Sequence, residues 1–323
     1  MGFEHLSTIF DPKKTAIVIV CGPTGIGKTA TAIEIAETEY GEVVGADSMQ
    51  IYRHMTIGTA KPTAAEQARI THHMIDVVNP DEDFDAAKFA EVAGQVITDL
   101  SGRGILPVVA GGTGLYIKAL TRGLFESAAG DPDIKAGLRA AADEKGGAAL
   151  YRELEKVDPQ TAARLHPNDT YRVLRALEVY RITGRPMSEL QAAHAFADEK
   201  YRCLKIGLTM DREKLYERIN RRVDAMLAQG LEAEVRQLLD SGYGPELKAM
   251  QSLGYRHMAA YIRGEVGRDE MVATLKRDTR RYAKRQFTWF RADRAMHWFQ
   301  PGDRAEILAL VRHFLEKAGP SER

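Results

Sequence analysis

Cysteine is nearly absent, with two in 323 residues, and what is missing around them excludes two architectures. Cys21 and Cys203 cannot build a disulfide framework, and neither belongs to a paired Cys/His spacing of the kind that holds structural zinc. Charge of one sign is missing too. Lys plus Arg and Asp plus Glu each number 45, so a polyanionic partner would have to be met by local clusters rather than by net charge. No apolar run approaches the roughly 20 residues that cross a bilayer, and the N-terminus lacks a basic start followed by an apolar core. A cytoplasmic protein with no membrane partner is the expectation. What remains is the composition of a soluble globular chain, 44% hydrophobic and 28% charged, long enough for two lobes.

Residues 22–29 stand out against this background. Gly22-Pro23-Thr24-Gly25-Ile26-Gly27-Lys28-Thr29 follows the apolar run Thr15–Cys21 and precedes a helix-like segment from Lys28 to Glu37. Glycines let successive backbone N–H groups turn onto a phosphate, and the helix N-terminus adds partial positive charge. Lys28 supplies a mobile cation, and the Thr29 hydroxyl can ligate Mg²⁺. This is a phosphate-binding loop for a diphosphate or triphosphate. It names the ligand group, not the reaction, since most such loops belong to nucleotide hydrolases and kinases.

The rest of the chain reads as an α/β fold. Residues 42–47 form a second buried strand that delivers Asp47 at its C-terminal end, where ligands sit in open α/β sheets. The segment 48–62 is rich in side chains able to hydrogen-bond or stack on a base. His72 and His73 are adjacent, and on a strand they point to opposite faces, a poor geometry for a shared metal. Residues 84–100 have helical spacing. A third strand, 104–110, has Pro107 arguing for an edge or an early ladder position, and it runs into a second glycine turn, 111–116, that would bring Thr113 near Asp47. From 122 to 200 strand-like runs vanish, which reads as a helical insert; the core is then discontinuous, 1–121 and 201–323. In the insert, Arg172, Arg175 and Arg181 interleave with Leu174, Leu177 and Tyr180 to give a basic helix face. Strand character resumes at 203–209. Arg218 and Arg222 then lie four apart on one helix face, able to converge on an anion or to serve as a salt-bridged surface. Residues 276–294 hold eight basic residues, the strongest basic cluster in the chain, with Trp289 and Phe290 expected in the core.

Taken together, Gly22–Thr29, Asp47-Ser48-Met49-Gln50-Ile51-Tyr52, Ile57–Pro62, Gly111–Tyr116, Pro167–Asp169 with Arg175–Tyr180, and Gly254-Tyr255-Arg256 resemble the tRNA dimethylallyltransferase family, from about residue 15 to 295. The resemblance implies a P-loop NTPase-like parallel sheet core flanked by helices, with an α-helical insert. It implies that the loop holds the diphosphate of dimethylallyl diphosphate, with Mg²⁺ at Thr29, instead of hydrolysing a nucleotide. The reaction implied is transfer of a dimethylallyl group to the N6 amine of the adenosine 3′ of the anticodon, in tRNAs that read codons starting with U. Asp47, Thr113, Lys28, Arg218 and Arg222 would be catalytic. Asp47, Ser48, Met49, Gln50 and Thr113 would meet the tRNA anticodon stem-loop, as would Lys135, the stretch Tyr171, Arg172, Val173, Leu174 and Arg175, and the stretch Ser252, Leu253, Gly254, Tyr255, Arg256 and His257. Ile26 departs from the small hydroxyl residue common in the family. Without a Cys/His finger, the likeness is to the bacterial type, and a monomer is expected. Three other readings stay open at this stage: an adenylate prenyltransferase acting on free AMP, ADP or ATP, a small-molecule kinase, and a tRNA-binding protein without catalysis.

Overall fold

The computed structural model describes residues 14–124, 131–194 and 199–317; the lead-in expected before the first strand lies, apart from Lys14, outside them. The chain divides into two compact units, Arg122–Glu199 and the residues on either side of that segment. Lys200 belongs with the flanking unit, one residue earlier than the composition indicated, because its N–H donates to the Thr121 carbonyl at 2.9 Å.

The flanking unit begins with β1 (Ala16–Cys21), α1 (Lys28–Thr38), β2 (Gly41–Gly45), α2 (Ala64–Arg69), β3 (His72–His73), α3 (Ala86–Gly102), β4 (Leu106–Gly111) and α4 (Gly114–Arg122). The insert holds α5 (Pro132–Lys145), α6 (Gly147–Val157), α7 (Pro159–Ala162), α8 (Thr170–Thr183) and α9 (Met187–His194). The first unit then resumes with β5 (Arg202–Leu208), α10 (Arg212–Ala228), α11 (Leu231–Asp240), α12 (Tyr255–Ile262), α13 (Arg268–Arg291), β6 (Met296–Phe299) and α14 (Arg304–Glu316).

The six strands pair in the order β3-β2-β4-β1-β5-β6, all parallel. Val18 and Val20 of β1 pack with α1, α10 and α14, while Ile17 and Ile19, which alternate onto the opposite face, are equally buried. A parallel strand covered on both faces must be apolar without interruption, and β1 is. α3 lies on β2 and β4, capped by Asp85, whose carboxylate accepts from the N–H groups of Ala87 and Lys88. β4 is central, so Pro107 marks an early ladder position and not an edge: it is the second residue of the strand, opposite Glu42. β6 escaped the sequence reading because it is four half-buried residues long with no alternation to betray it.

In the insert, Leu138, Leu150, Leu154, Ala162, Val173, Ala176 and Leu177 form a separate core. Asp158 caps α7 through the Thr161 N–H and also accepts from the N–H and hydroxyl of Ser188, so its burial is matched by three hydrogen bonds within the unit. The predicted basic face of α8 is largely neutralised: Arg172 pairs with Asp169, Arg175 with buried Glu178, and Arg181 with Glu153. The spacing of arginines was visible in the sequence, whereas the carboxylates they meet are set by the packing of α6 and by turns of the same helix.

Candidate active site

At the C-terminal ends of β1, β2 and β4 the first unit encloses a cavity of about 650 Å³. The loop after β1 reaches it with Thr24, Gly25, Gly27, Lys28 and Thr29. Gly25 and Gly27 have φ of 79° and 113°, a left-handed backbone that a residue with a Cβ enters only at a cost, and this is what turns the peptide groups toward the start of α1. Lys28 Nζ donates to the Pro23 carbonyl of its own loop at 2.9 Å. Burial, opposed by Asp47 and assisted by Arg222, pulls its ammonium from 10.5 down to about 8. Ile26 turns its side chain into the core, so it can offer a ligand only its backbone; Gly22 and Pro23 support the loop and do not line the cavity.

Asp47 stands two residues past β2 and lines the same cavity. Its Oδ1 accepts from the Met49 N–H at 2.9 Å, a local turn that aims the carboxylate and leaves the other oxygen without a partner among the described residues. Thr113 sits behind it. The Thr113 hydroxyl accepts from the Ser48 N–H at 3.0 Å and lies 3.3 Å from the Ser48 hydroxyl, and Tyr282 bonds to it from α13. Thr113 therefore braces the segment after Asp47 and does not itself line the cavity. Gln50 does line it, with its amide nitrogen held by the carbonyls of Thr59 and Ala60 at 3.2 and 3.1 Å.

Arg218 and Arg222 of α10 both enter the cavity. A Cβ on Gly27 would lie 3.8 Å from Arg218 Nη2, so Arg218 borders the loop itself, while Arg222 interacts electrostatically with Lys28 and Asp47. Three cations line one cavity, and burial lowers two of them, Lys28 and Arg222, a constellation that favours a multiply charged anion.

A family model described as IPP transferase matches residues 50–293. The chain belongs to the IPP transferase family. Curated relatives include the tRNA dimethylallyltransferase of Desulfosudis oleivorans, 53% identical over 305 residues that cover 94% of this chain and 97% of the relative. Another, from Syntrophobacter fumaroxidans, carries the same name and is 55% identical over 295 residues, covering 91% and 86%. Among solved structures, the full-length tRNA isopentenylpyrophosphate transferase of Bacillus halodurans matches with a TM-score of 0.71 at 40% identity over 95% of this chain and 98% of that one. A eukaryotic dimethylallyltransferase captured acting on tRNA gives a TM-score of 0.79 at 27% identity, covering 94% and 80%. The fold is that of these P-loop NTPase-like transferases.

Within this IPP transferase several residues expected to touch RNA lie elsewhere. Val173 is 1% exposed in the core of the insert, and Leu174 packs against that core. Tyr255 is buried with its hydroxyl on Glu234, and His257 is buried with Nε2 3.3 Å from Asp278; both side chains face inward because α12 packs that side on α11 and α13. Ser252, Leu253, Gly254 and Arg256 do line the cavity, and Tyr171 (79% exposed) and Lys135 lie on the surface of the insert. Phe290 is buried as expected, but Trp289 is 46% exposed, its indole against Gly114, where any Cβ would collide with it. His73 pairs with Glu42, and His72 lies 2.8 Å from the Ile70 carbonyl.

Two residues of this site gave no sequence signal. Gln286 of α13 accepts from the Thr24 N–H and donates to the Gly112 carbonyl, both at 2.8 Å, tying the two glycine turns together. Glu234 of α11 accepts from the N–H groups of Thr56, Ile57 and Gly58. Nothing local could have revealed either, since both partners are far away in the chain.

Proposed function

We propose that this chain is a tRNA dimethylallyltransferase. It moves the dimethylallyl group of dimethylallyl diphosphate to the N6 amine of the adenosine 3′ of the anticodon, in tRNAs that read codons beginning with U, and it acts as a monomer. The observation that carries this reading is the convergence of a phosphate loop and a strand-end carboxylate, Asp47, on one cavity. The names of the relatives and of the matching structures support it.

The chemistry follows from the residues. An adenine amine is a weak nucleophile because its lone pair is delocalised into the ring, so a carboxylate that takes its proton as the new C–N bond forms contributes about 10² to 10⁴ in rate. Asp47 takes that role, aimed by the Met49 N–H. As the allylic carbon parts from oxygen, negative charge grows on the departing diphosphate, and fixed donors act most strongly there. The loop N–H groups, Lys28 and Arg218 meet that charge, and Arg222 bridges the electrostatics of the leaving group and the base. Thr113 and Tyr282 hold Ser48, and through it the carboxylate, in place.

Among the described residues no group of three His, Cys, Asp or Glu side chains could hold a metal, while Thr29 does line the cavity. That donor set suits Mg²⁺, which favours few protein ligands completed by phosphate oxygens and water, and Thr29 would hold it. The ion would neutralise charge on the diphosphate.

The acceptor base must leave its stack to reach the cavity, at a cost of a few kcal/mol, least for a looped strand. Basic side chains of α13 and of the insert offset that cost by pairing with backbone phosphates. The test is to incubate the protein with unmodified tRNA, dimethylallyl diphosphate and Mg²⁺, digest the RNA, and look for N6-isopentenyladenosine by mass spectrometry. Prenylation of AMP with efficiency comparable to tRNA would overturn the reading in favour of an adenylate prenyltransferase.

A further inference from the structure

The loop between Tyr52 and Pro62 carries two non-glycine residues in the left-handed region, His54 at φ 66° and Ala60 at φ 46°. Such a backbone persists only where its surroundings over-determine it. The restraint here comes from a different part of the chain. Glu234 reaches in from the first turn of α11, and its carboxylate accepts from Thr56 N–H at 2.9 Å, Ile57 N–H at 2.7 Å and Gly58 N–H at 3.1 Å. The Tyr255 hydroxyl donates to the same carboxylate at 2.6 Å. Its ring lies directly beneath Gly58, where a Cβ would come within 2.5 Å of it, so only glycine lets the loop settle on the ring.

What the restrained loop presents is a pair of carbonyls. Thr59 O and Ala60 O receive the Gln50 amide nitrogen at 3.2 and 3.1 Å, which occupies both of its hydrogens. A flipped amide would set oxygen against two oxygens, so the loop decides the orientation. Gln50 lines the cavity, and the atom its amide has left to offer there is Oε1, an acceptor that suits a base edge bearing an N–H and repels one bearing a carbonyl.

We infer that Glu234 is a positioning residue for the acceptor base: by clamping the peptide groups of residues 56–58 it fixes the Thr59 and Ala60 carbonyls, and these lock the Gln50 amide with its oxygen toward the cavity. Glu234 acts through Gln50 and does not itself touch a substrate. The inference rests on the proposed transfer to an adenine in tRNA.

A double-mutant cycle tests it. Single-turnover transfer to tRNA at saturating dimethylallyl diphosphate is measured for wild type, Glu234→Gln, Gln50→Ala and the double variant, with diphosphate binding followed by calorimetry. Each single change is expected to slow transfer by roughly 10- to 100-fold, the scale of losses from a misplaced reacting group, with donor affinity unchanged. The double variant is expected to be no slower than Gln50→Ala alone. If the two losses multiply, or if Glu234→Gln weakens donor binding as much as it slows transfer, Glu234 is a general structural clamp and the inference fails. Should Glu234→Gln not fold, Tyr255→Phe carries the same cycle, because it keeps the ring under Gly58 and removes one donor from the carboxylate; multiplying losses with Gln50→Ala would overturn the inference there too. Wild-type protein that transfers nothing to tRNA overturns the underlying activity instead, a separate and recognisable result.

Discussion

Lys28 is held in two competing states by its surroundings. Burial depresses its ammonium to about 8, while a bound diphosphate would favour the cation. In the free protein the charge is present below that value and lost above it, so affinity for dimethylallyl diphosphate is expected to fall as pH rises through about 8, read by calorimetry between pH 6.5 and 9.5. Lys28→Ala should remove that pH dependence along with most of the transfer activity. The folding linkage has the opposite sign. Between about 8 and 10.5 the unfolded chain binds more protons at this site than the folded one, so the contribution of Lys28 to stability rises with pH across that window. Asp47 offers a cleaner separation of shape from chemistry. In Asp47→Asn the amide oxygen can still accept from the Met49 N–H, so the turn survives while the proton acceptor does not. Single-turnover transfer should then drop by about 10² or more with tRNA affinity little changed; an affinity collapse with an intact rate would make Asp47 a binding residue.

At the scale of elements, α13 joins what the sheet leaves apart. Gln286 ties the first glycine turn to the second through this helix, and its loss would strand a donor at Thr24 and an acceptor at Gly112. Gln286→Ala should therefore destabilise the protein by about 1–3 kcal/mol, measured by thermal or urea unfolding, and raise the KM for dimethylallyl diphosphate. The contrast with the phosphate loop explains what a sequence can and cannot disclose. The loop, its strand and its helix are contiguous, so glycine spacing and an apolar run declare them without help from the rest of the chain. The place of Asp47 at the cavity was legible for a related reason, since the C-terminal ends of the strands in a parallel sheet open on one crevice. Gln286 meets Thr24 across 262 positions and Glu234 meets Thr56 across 178, and no local pattern encodes a partner so distant. The inward turn of Tyr255 and His257 was illegible in the same way: a helix start beside a conspicuous motif reads as surface until the helices that cover it are in place.

At the scale of the whole molecule, a balanced net charge coexists with local excess. Asp278 is shared by Arg256, Arg277, Arg281 and His257, four potential cations around one carboxylate. Arg285 lines the cavity nearby on α13. If the arginines of this cluster meet RNA phosphates, tRNA affinity should fall steeply with salt while affinity for the small donor falls much less, and charge reversal at Arg281 and Arg285 should flatten the slope. The same reversal at Arg175 is a poor probe, since it would set a carboxylate against buried Glu178 and report on folding. The bond between the Lys200 N–H and the Thr121 carbonyl has a consequence of its own. The chain leaves and re-enters one unit at neighbouring points, as it would around a cassette spliced into a finished domain. Excising residues 122–199 and closing the gap with a short turn should leave a shorter protein that still folds and still binds dimethylallyl diphosphate. The same junction would accept a foreign helical module, because a graft there interrupts no strand of the sheet and no residue of the cavity.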